Sequence, residues 1–230
     1  MNEHTCRFDA YDHEFNPDGR IGCYVIHGFT SSTYEVKNLA EFLGKQGFYV
    51  KAANLPGHGT TTDDCNRTNY KEWFQHVEQG FAEMVSHCDQ IFALGISMGA
   101  VLSLHLAGIF PMNGLVVAAP VFRFNKHYRT QFLNPITCRF FPKLEKRGMY
   151  DRNIRNSLNY YGYNQYPMIA LNEYCKLSKI VKKNLHKVKV PTLLQYTSND
   201  LTSPSGNIKM LKNGISSRKI KISEYHEVSH

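Results

Sequence analysis

The chain has 230 residues, which is enough for one domain with a sizeable core and too few for two. Its residues are 42% hydrophobic and 20% charged, and these ordinary globular values argue against disordered and fibrous classes. The net charge is +8, and part of it comes from a lysine-rich segment at residues 176–189. Because these lysines mix with Leu, Ile and Val at helical spacing, we interpret the segment as the solvated face of a helix and expect no nucleic-acid partner.

The cysteines and the apolar runs bear on the cellular compartment. Six cysteines are scattered without a CxxC pair or another metal-ligand spacing, so the sequence predicts no metal site. The first residues contain no apolar stretch followed by a cleavage site, so we expect free thiols and a cytoplasmic location. No apolar run is long enough to span a bilayer, and stable membrane insertion is not expected.

Strand and helix patterns alternate along most of the chain. Continuous apolar strands separated by helices are typical of a parallel sheet that is covered on both faces, with reactive groups in the loops after the strands. The fold class predicted is therefore α/β, with a mostly parallel central sheet flanked by helices. Strands are predicted at 23–27, 49–53, 91–94, 115–118, 192–196 and 219–223, and helices at 33–46, 70–86, 98–108 and 207–212.

The alternation fails between residues 122 and 186. This stretch is rich in Tyr, Phe, Asn and Arg, and prolines divide it into short pieces. We interpret residues 122–186 as a small helical cap insertion, made of short helices and loops over the strand ends. Residues 1–121 and 187–230 are then the core.

Ser97 is the most informative residue of the sequence. It lies in GISMG, at residues 95–99, between a predicted strand and a predicted helix. A nucleophile on such a tight turn has a strained backbone, and the glycines two before and two after it relieve the crowding. The motif alone is weak evidence, since it also occurs by chance in structural turns. The strand before it and the helix after it favour catalysis.

Two backbone amides are candidates for an oxyanion hole, the pair of donors that a tetrahedral intermediate needs. The amide of Met98 begins the helix after the nucleophile. The amide of Phe29 follows His27 and Gly28 at the end of the first apolar strand. A plain strand-ending turn would explain residues 27–30 on their own, and only their combination with Ser97 favours the functional interpretation.

The acid and the base should follow the nucleophile in the order serine, acid, histidine. Asp200 comes just after the predicted strand at 192–196, where the acid belongs. Two histidines follow the last strand, His226 and His230, and we prefer His230 while leaving His226 open. His58 precedes the serine and is expected to be structural.

The motifs together, HGFT, LPGHG, GISMG and the strand that leads to Asp200, resemble the monoacylglycerol lipase and bacterial carboxylesterase branch of the α/β hydrolases. The resemblance covers residues 21–230. It implies the α/β-hydrolase fold, ester hydrolysis through an acyl-enzyme, a small cap and no cofactor. In that branch the histidine loop has a different register, which is why the histidine assignment stays open.

The function predicted is that of a serine hydrolase, a carboxylesterase or monoacylglycerol lipase, acting on a small-molecule ester with an apolar acyl group. Cap aromatic residues are candidates for the wall of the acyl pocket: Phe122, Tyr160, Tyr161 and Tyr163. A thioesterase, a feruloyl-type esterase or an acyltransferase would use the same triad, and a non-catalytic ligand-binding protein on this scaffold is a further alternative. The oligomeric state does not follow from the sequence.

Overall fold

Nine strands are present in the computed structural model, which describes residues 10–125, 129–146 and 162–226. All six predicted strands are among them, with ends that differ by a few residues. The strands are β1 (His13–Phe15), β2 (Ile21–Ile26), β3 (Tyr49–Ala52), β4 (Gln90–Ile96), β5 (Gly114–Ala118), β6 (Lys143–Glu145), β7 (Gln165–Pro167), β8 (Thr192–Thr197) and β9 (Ile220–Tyr225).

Seven of these described strands form the central sheet, in the order β1-β3-β2-β4-β5-β8-β9. Every neighbouring pair is parallel except β1 and β3. The carboxyl ends of β2, β4, β5, β8 and β9 therefore lie along one edge of the sheet. The predicted parallel sheet is confirmed, and β1 is a short antiparallel edge strand that the sequence analysis did not predict.

The helices of the described residues flank this sheet. They are α1 (Lys37–Lys45), α2 (Thr62–Arg67), α3 (Tyr70–His87), α4 (Met98–Ile109), α5 (Asn134–Thr137), α6 (Met168–Lys183) and α7 (Gly206–Gly214), with short 3-10 helices at Thr33–Val36 and Leu185–Lys187. Local capping explains where some of them begin. Asn69 and Glu72 form a reciprocal capping box at the start of α3, and Thr61 accepts a hydrogen bond from the Asp64 amide at the start of α2.

Both faces of the sheet are covered, because successive side chains of β2 are buried in two different core clusters. Tyr24 and Ile26 belong to the larger core cluster, whereas Cys23 and Val25 belong to a second cluster on the opposite face. Successive side chains of a strand point to opposite faces, so a strand buried on both sides is continuously apolar. The larger cluster includes residues of α3, α4, α6 and α7, and Ala40 of α1 packs in the second.

The predicted cap segment contains both irregular and regular structure. A π-helical turn at Arg129–Leu133 leads into α5, and β6 pairs antiparallel with β7. Helix α6 is longer than the short pieces predicted here, because residues 168–183 contain neither Gly nor Pro. Its buried face joins the main core through Leu171, Tyr174 and Leu177, among others. The division at residues 122 and 186 remains a prediction.

The lysine-rich segment forms part of α6, and Lys176, Lys179 and Lys182 are exposed there, as predicted for a solvated helix face. Among the described helices, none combines the length and hydropathy that crossing a bilayer requires.

Candidate active site

Ser97 lies at the turn from β4 into α4. Its backbone angles are φ 56° and ψ −111°, a left-handed conformation that non-glycine residues rarely adopt. The Ser97 amide donates to the carbonyl of Ala118 at the end of β5, 2.9 Å away, and the residue is 8% exposed. This is the strained strand-to-helix turn expected of a nucleophile.

The two flanking glycines are required by their surroundings. A Cβ on Gly95 would lie 2.2 Å from the carbonyl oxygen of Gly99, and a Cβ on Gly99 would lie 2.2 Å from that of Ile26. Both contacts are with backbone atoms, which have little freedom to move. The first turn of α4 therefore approaches the end of β2 to a distance that only glycine allows.

The loop after β2 lies directly against the nucleophile. A Cβ built on Gly28 would be 3.2 Å from Cβ of Ser97, so the two residues are in close contact. Phe29 follows Gly28 and Met98 follows Ser97, so both residues adjoin this contact. Neither amide N–H is hydrogen-bonded to another described residue. Both amides are therefore candidates for donors to an oxyanion.

His27 holds the peptide group that carries the Phe29 amide. The Leu55 amide donates to Nε2 of His27 at 3.1 Å, so the proton of the neutral ring is on Nδ1, which donates to the Gly28 carbonyl at 2.9 Å. In a trans peptide the N–H points opposite to the C=O. Fixing the Gly28 carbonyl therefore fixes the direction of the Phe29 N–H. In the sequence, His27 lies in the motif at residues 27–30, and the pattern indicates no role for it.

An aromatic cluster surrounds the Phe29 ring. His58, Trp73 and Tyr174 lie 5.9, 6.3 and 5.5 Å from it between ring centroids. The Trp73 indole donates to the Pro56 carbonyl and the Tyr174 hydroxyl to the Val121 carbonyl, at 3.0 and 2.7 Å. These contacts hold the loop after β2 against the rest of the core. That His58 has a structural role remains a prediction.

His27 and His58 are neutral at ordinary pH. Their ring centroids are 5.3 Å apart, and both side chains are buried. Burial lowers the pKa of His27 to about 4 and that of His58 to about 3, with a further lowering of the His58 pKa by the neighbouring His27. A histidine with such a pKa is a poor general base near neutral pH.

Asp200 lies three residues beyond the end of β8 and is 6% exposed. Its Oδ1 accepts hydrogen bonds from the amides of Thr202 and Ser203, each at 2.7 Å, which fix the plane of the carboxylate. Ser203 donates in turn to the Pro120 carbonyl after β5, at 2.6 Å. Since β5 separates β4 from β8, the strand ends that precede Ser97 and Asp200 are about two strand spacings apart, roughly 10 Å, along the same edge of the sheet.

The two candidate histidines differ in what the structure describes. His226 follows β9, and its carbonyl accepts a hydrogen bond from the Asn199 side chain at 2.9 Å. Its ring is 74% exposed, with Nδ1 3.9 Å from a carboxylate oxygen of Glu224. His230 lies outside the described residues, as do Tyr160 and Tyr161.

The other two proposed pocket residues, Phe122 and Tyr163, are buried. The Tyr163 hydroxyl donates to the Gly57 carbonyl at 2.6 Å and accepts from the Thr60 amide at 3.2 Å, so this residue links the cap segment to the core. A cavity of about 420 Å³ is lined by residues at the amino ends of β5, β8 and β9, and it is not part of this site. In the described part of the chain no three metal-ligating side chains cluster.

Comparison with known proteins places the chain in a family. The profile of the family described as "Serine aminopeptidase, S33" matches residues 18–230. The chain belongs to this family. The match covers nearly the whole chain, including the turn at Ser97, the loop after β2 and Asp200.

Relatives of this S33 chain include hydrolases from bacilli. A thermostable monoacylglycerol lipase of Bacillus sp. (strain H-257) is 29% identical over 217 residues, which are 89% of this chain and 80% of that protein. A carboxylesterase of Bacillus subtilis (strain 168) is 24% identical over 208 residues, which are 90% of this chain and 82% of that protein.

The fold of the S33 chain is shared with solved structures. One of them, described under "LipS and LipT, two metagenome-derived lipolytic enzymes", superposes with a TM-score of 0.83 at 24% identity, over 96% of this chain and 89% of that one. The α/β-hydrolase fold and the branch predicted from the sequence are thus confirmed.

Proposed function

We propose that this S33-family chain is a serine hydrolase that cleaves carboxylic esters through an acyl-enzyme on Ser97. The observation that supports the proposal is the contact of Gly28 with Ser97, which has a strained backbone. The residues that follow these two in the chain, Phe29 and Met98, are the ones whose amides we propose as oxyanion donors. The reaction class predicted from the sequence, ester hydrolysis, is confirmed by the family and by relatives named as a monoacylglycerol lipase and a carboxylesterase.

Each residue of the site has a role in the proposed mechanism. The histidine accepts the proton of Ser97 as its oxygen attacks the ester carbonyl, and Asp200 orients the imidazole and stabilises its charged form. The amides of Phe29 and Met98 stabilise the oxyanion. The alcohol leaves with the proton from the histidine, and water then hydrolyses the acyl-enzyme by the same steps.

We assign the base to His230, with His226 as the alternative. Ser97 and Asp200 are both at least 90% buried, whereas the His226 ring is mostly in solvent and faces Glu224. A base that bridges two buried groups has to be buried itself. Position 230 is the other histidine after β9 and has the chain order that the triad requires.

The substrate we propose is a small-molecule ester with an apolar acyl group. The aromatic cluster around Phe29 and the buried Phe122 make the surroundings of the site apolar. We place the enzyme in the cytoplasm, a proposal supported by the free thiols of Cys23, Cys65, Cys88, Cys138 and Cys175.

Labelling by a fluorophosphonate probe tests the nucleophile. We expect the wild type and Ser86→Ala, a change at an exposed serine of α3, to be labelled equally, and Ser97→Ala not to be labelled. Equal labelling of Ser97→Ala, or no labelling of a folded wild type, would favour a non-catalytic protein on this scaffold.

A series of p-nitrophenyl esters of increasing acyl length tests the substrate class. We expect Ser97-dependent hydrolysis, lost in His230→Ala and retained in His226→Ala. Thioesters and aminoacyl amides in the same assay test the thioesterase and peptidase reactions. If either is cleaved faster than every oxygen ester, the assignment to esters is wrong.

A further inference from the structure

Thr30, the residue after the proposed oxyanion donor Phe29, has an unusual backbone. Its φ is 64°, in the left-handed region, where a β-branched residue is strongly disfavoured. Thr30 is also 2% exposed. A conformation of this kind persists only where surrounding contacts hold it. The contacts of Thr30 therefore help to hold the Phe29–Thr30 peptide, which adjoins the peptide that carries the Phe29 N–H and that His27 holds from the other side.

Two residues of the predicted cap segment hold Thr30. Nζ of Lys146 donates to Oγ1 of Thr30 at 2.8 Å, and the amide of Tyr163 donates to the Thr30 carbonyl at 2.9 Å. Lys146 directly follows β6, and Tyr163 lies just before β7. The Lys146 amide donates to the Asn164 carbonyl, so the pairing of these two neighbouring segments continues past the ends of the strands. The small sheet of β6 and β7 thus holds the loop after β2, here called the oxyanion loop, through the hydroxyl and the carbonyl of one residue.

Lys146 is an unusual residue for this position, because it is only 3% exposed. Removing an ammonium group from water is unfavourable unless polar or aromatic partners replace the solvent. Nζ lies 4.9 Å from the centre of the Tyr166 ring on β7, in addition to its bond with Thr30. Its charge also lowers the pKa of His58, after the larger effects of burial and of the neighbouring His27.

A second lysine of the same cap strand differs in its surroundings. Lys143 has a side chain that is 25% exposed, and it pairs with the carboxylate of Asp63 at 2.7 Å. Lys143 therefore also links the cap strand to the core, but through an ion pair outside the oxyanion loop. It provides a matched control for the loss of a lysine from β6 and its extension.

We propose that Lys146 is a positioning residue for ester hydrolysis, which orients the Phe29 amide by holding the Thr30 turn. This inference rests on the proposed function. When the bond to Oγ1 is lost, the Thr30 backbone relaxes toward negative φ and rotates the Phe29–Thr30 peptide. This rotation displaces Phe29, so that its N–H, in the next peptide toward Gly28, is tilted away from the oxyanion. The effect falls on the transition state and therefore on kcat.

Kinetics of matched variants test this role. Because losing an oxyanion donor outright lowers kcat by about 100-fold or more, we expect its misorientation in Lys146→Met to lower kcat by about ten-fold or more. KM for the same p-nitrophenyl ester should stay within about two-fold, since ground-state binding is unchanged. Lys146→Arg should recover part of kcat, and Lys143→Met should keep the wild-type value. Equal kcat values for Lys146→Met and Lys143→Met would overturn the proposal.

Substitutions at Thr30 test the same bond from its other side. Thr30→Ser keeps the hydroxyl and should keep kcat, whereas Thr30→Val removes it at equal size and should lower kcat as Lys146→Met does. The double variant should be no slower than the slower single variant, because both remove one interaction. Where Lys146→Met does not fold, equal kcat values for Thr30→Val and Thr30→Ser would overturn the proposal.

Failure of the proposed function is distinguishable from failure of this inference. Loss of hydrolysis in Ser97→Ala establishes the function independently of Lys146, so an unchanged kcat in folded Lys146→Met then removes only the positioning role. A wild type without Ser97-dependent hydrolysis overturns both.

Discussion

The two buried histidines near Phe29, His27 and His58, should make the protein sensitive to acid. His27 and His58 are buried side by side, and burial lowers the pKa of His27 to about 4 and that of His58 to about 3, from an ordinary value of 6.5. Charging either ring would put an imidazolium into the core, where His27 would also lose its acceptor nitrogen for the Leu55 amide. We therefore expect the folded protein to lose stability as the pH falls.

The sign follows from the proton balance. A group whose pKa is lowered by folding binds fewer protons in the folded state, so its contribution to stability is present above pH 6.5 and declines as the pH falls toward the folded pKa. At about 1.36 kcal/mol per pKa unit, a change from 6.5 to about 4 corresponds to about 3 kcal/mol for His27, and His58 contributes at least as much. Together the two are comparable with the whole stability of a typical domain, roughly 5–15 kcal/mol.

Urea unfolding at pH 7, 6, 5 and 4 measures this loss. The matched variant is His58→Phe, which keeps a planar ring against Phe29 and gives up the hydrogen-bonding contact of Nδ1 with the Pro56 carbonyl. We expect its free energy of unfolding to decline less steeply between pH 6 and pH 4, by about 1.4 kcal/mol per pH unit, because one titrating group is gone. His186→Gln, a change at an exposed histidine, should keep the wild-type slope.

The dependence of the free energy of unfolding on pH distinguishes the loss of a titrating histidine from a simple change in packing. A phenyl ring at position 58 alters stability at every pH by the same amount, whereas loss of the histidine alters the pH dependence. If His58→Phe and the wild type lose stability in parallel between pH 6 and pH 4, the reasoning about His58 is wrong.

Three further predictions concern the site and its supports. Gly99→Ala should destabilise the protein by at least about 2 kcal/mol, because its Cβ would meet the Ile26 carbonyl, and Gly206→Ala, with open space at its Cβ, by less than about 1 kcal/mol; equal urea midpoints would contradict this. Asp200→Asn should lower kcat by about 10³- to 10⁴-fold without unfolding, and a loss below ten-fold would remove Asp200 from the triad. Tyr163→Phe loses the bond to the Gly57 carbonyl and should lower the free energy of unfolding by about 1–3 kcal/mol, so an unchanged midpoint would count against that bond.

Much of the fold is readable from the sequence, because the elements have strong local patterns. Strands β2, β4 and β5 are apolar runs bounded by glycine, proline or polar residues. The spacing of the apolar residues in α3 likewise predicts its buried face. Short elements carry weaker signals. Strand β1 has three residues, and α2 lies in a segment of Gly, Pro and Thr that is typical of a loop.

The candidate site, like the fold, has some residues that the sequence predicts and others that only the structure shows. Ser97 and Asp200 are predictable because each follows an apolar strand, and parallel strands bring their carboxyl ends to one edge. The glycines of the motif around Ser97 are predictable for a similar reason. Gly95 approaches the backbone of Gly99, four residues away, and Gly99 approaches the end of the neighbouring strand β2.

What the sequence by itself determined is thus the order of strands and helices, together with the candidates for the nucleophile and the acid. Only the tertiary structure showed that His27 fixes a peptide carbonyl and that Lys146 reaches Thr30, because these partners are chosen by packing between distant segments and leave no periodic pattern. A positive φ at a threonine is likewise invisible in the sequence, since its local preference is the opposite. The physical reason is that residue type encodes local conformation and burial, whereas the direction of one amide depends on contacts that exist only in the folded chain.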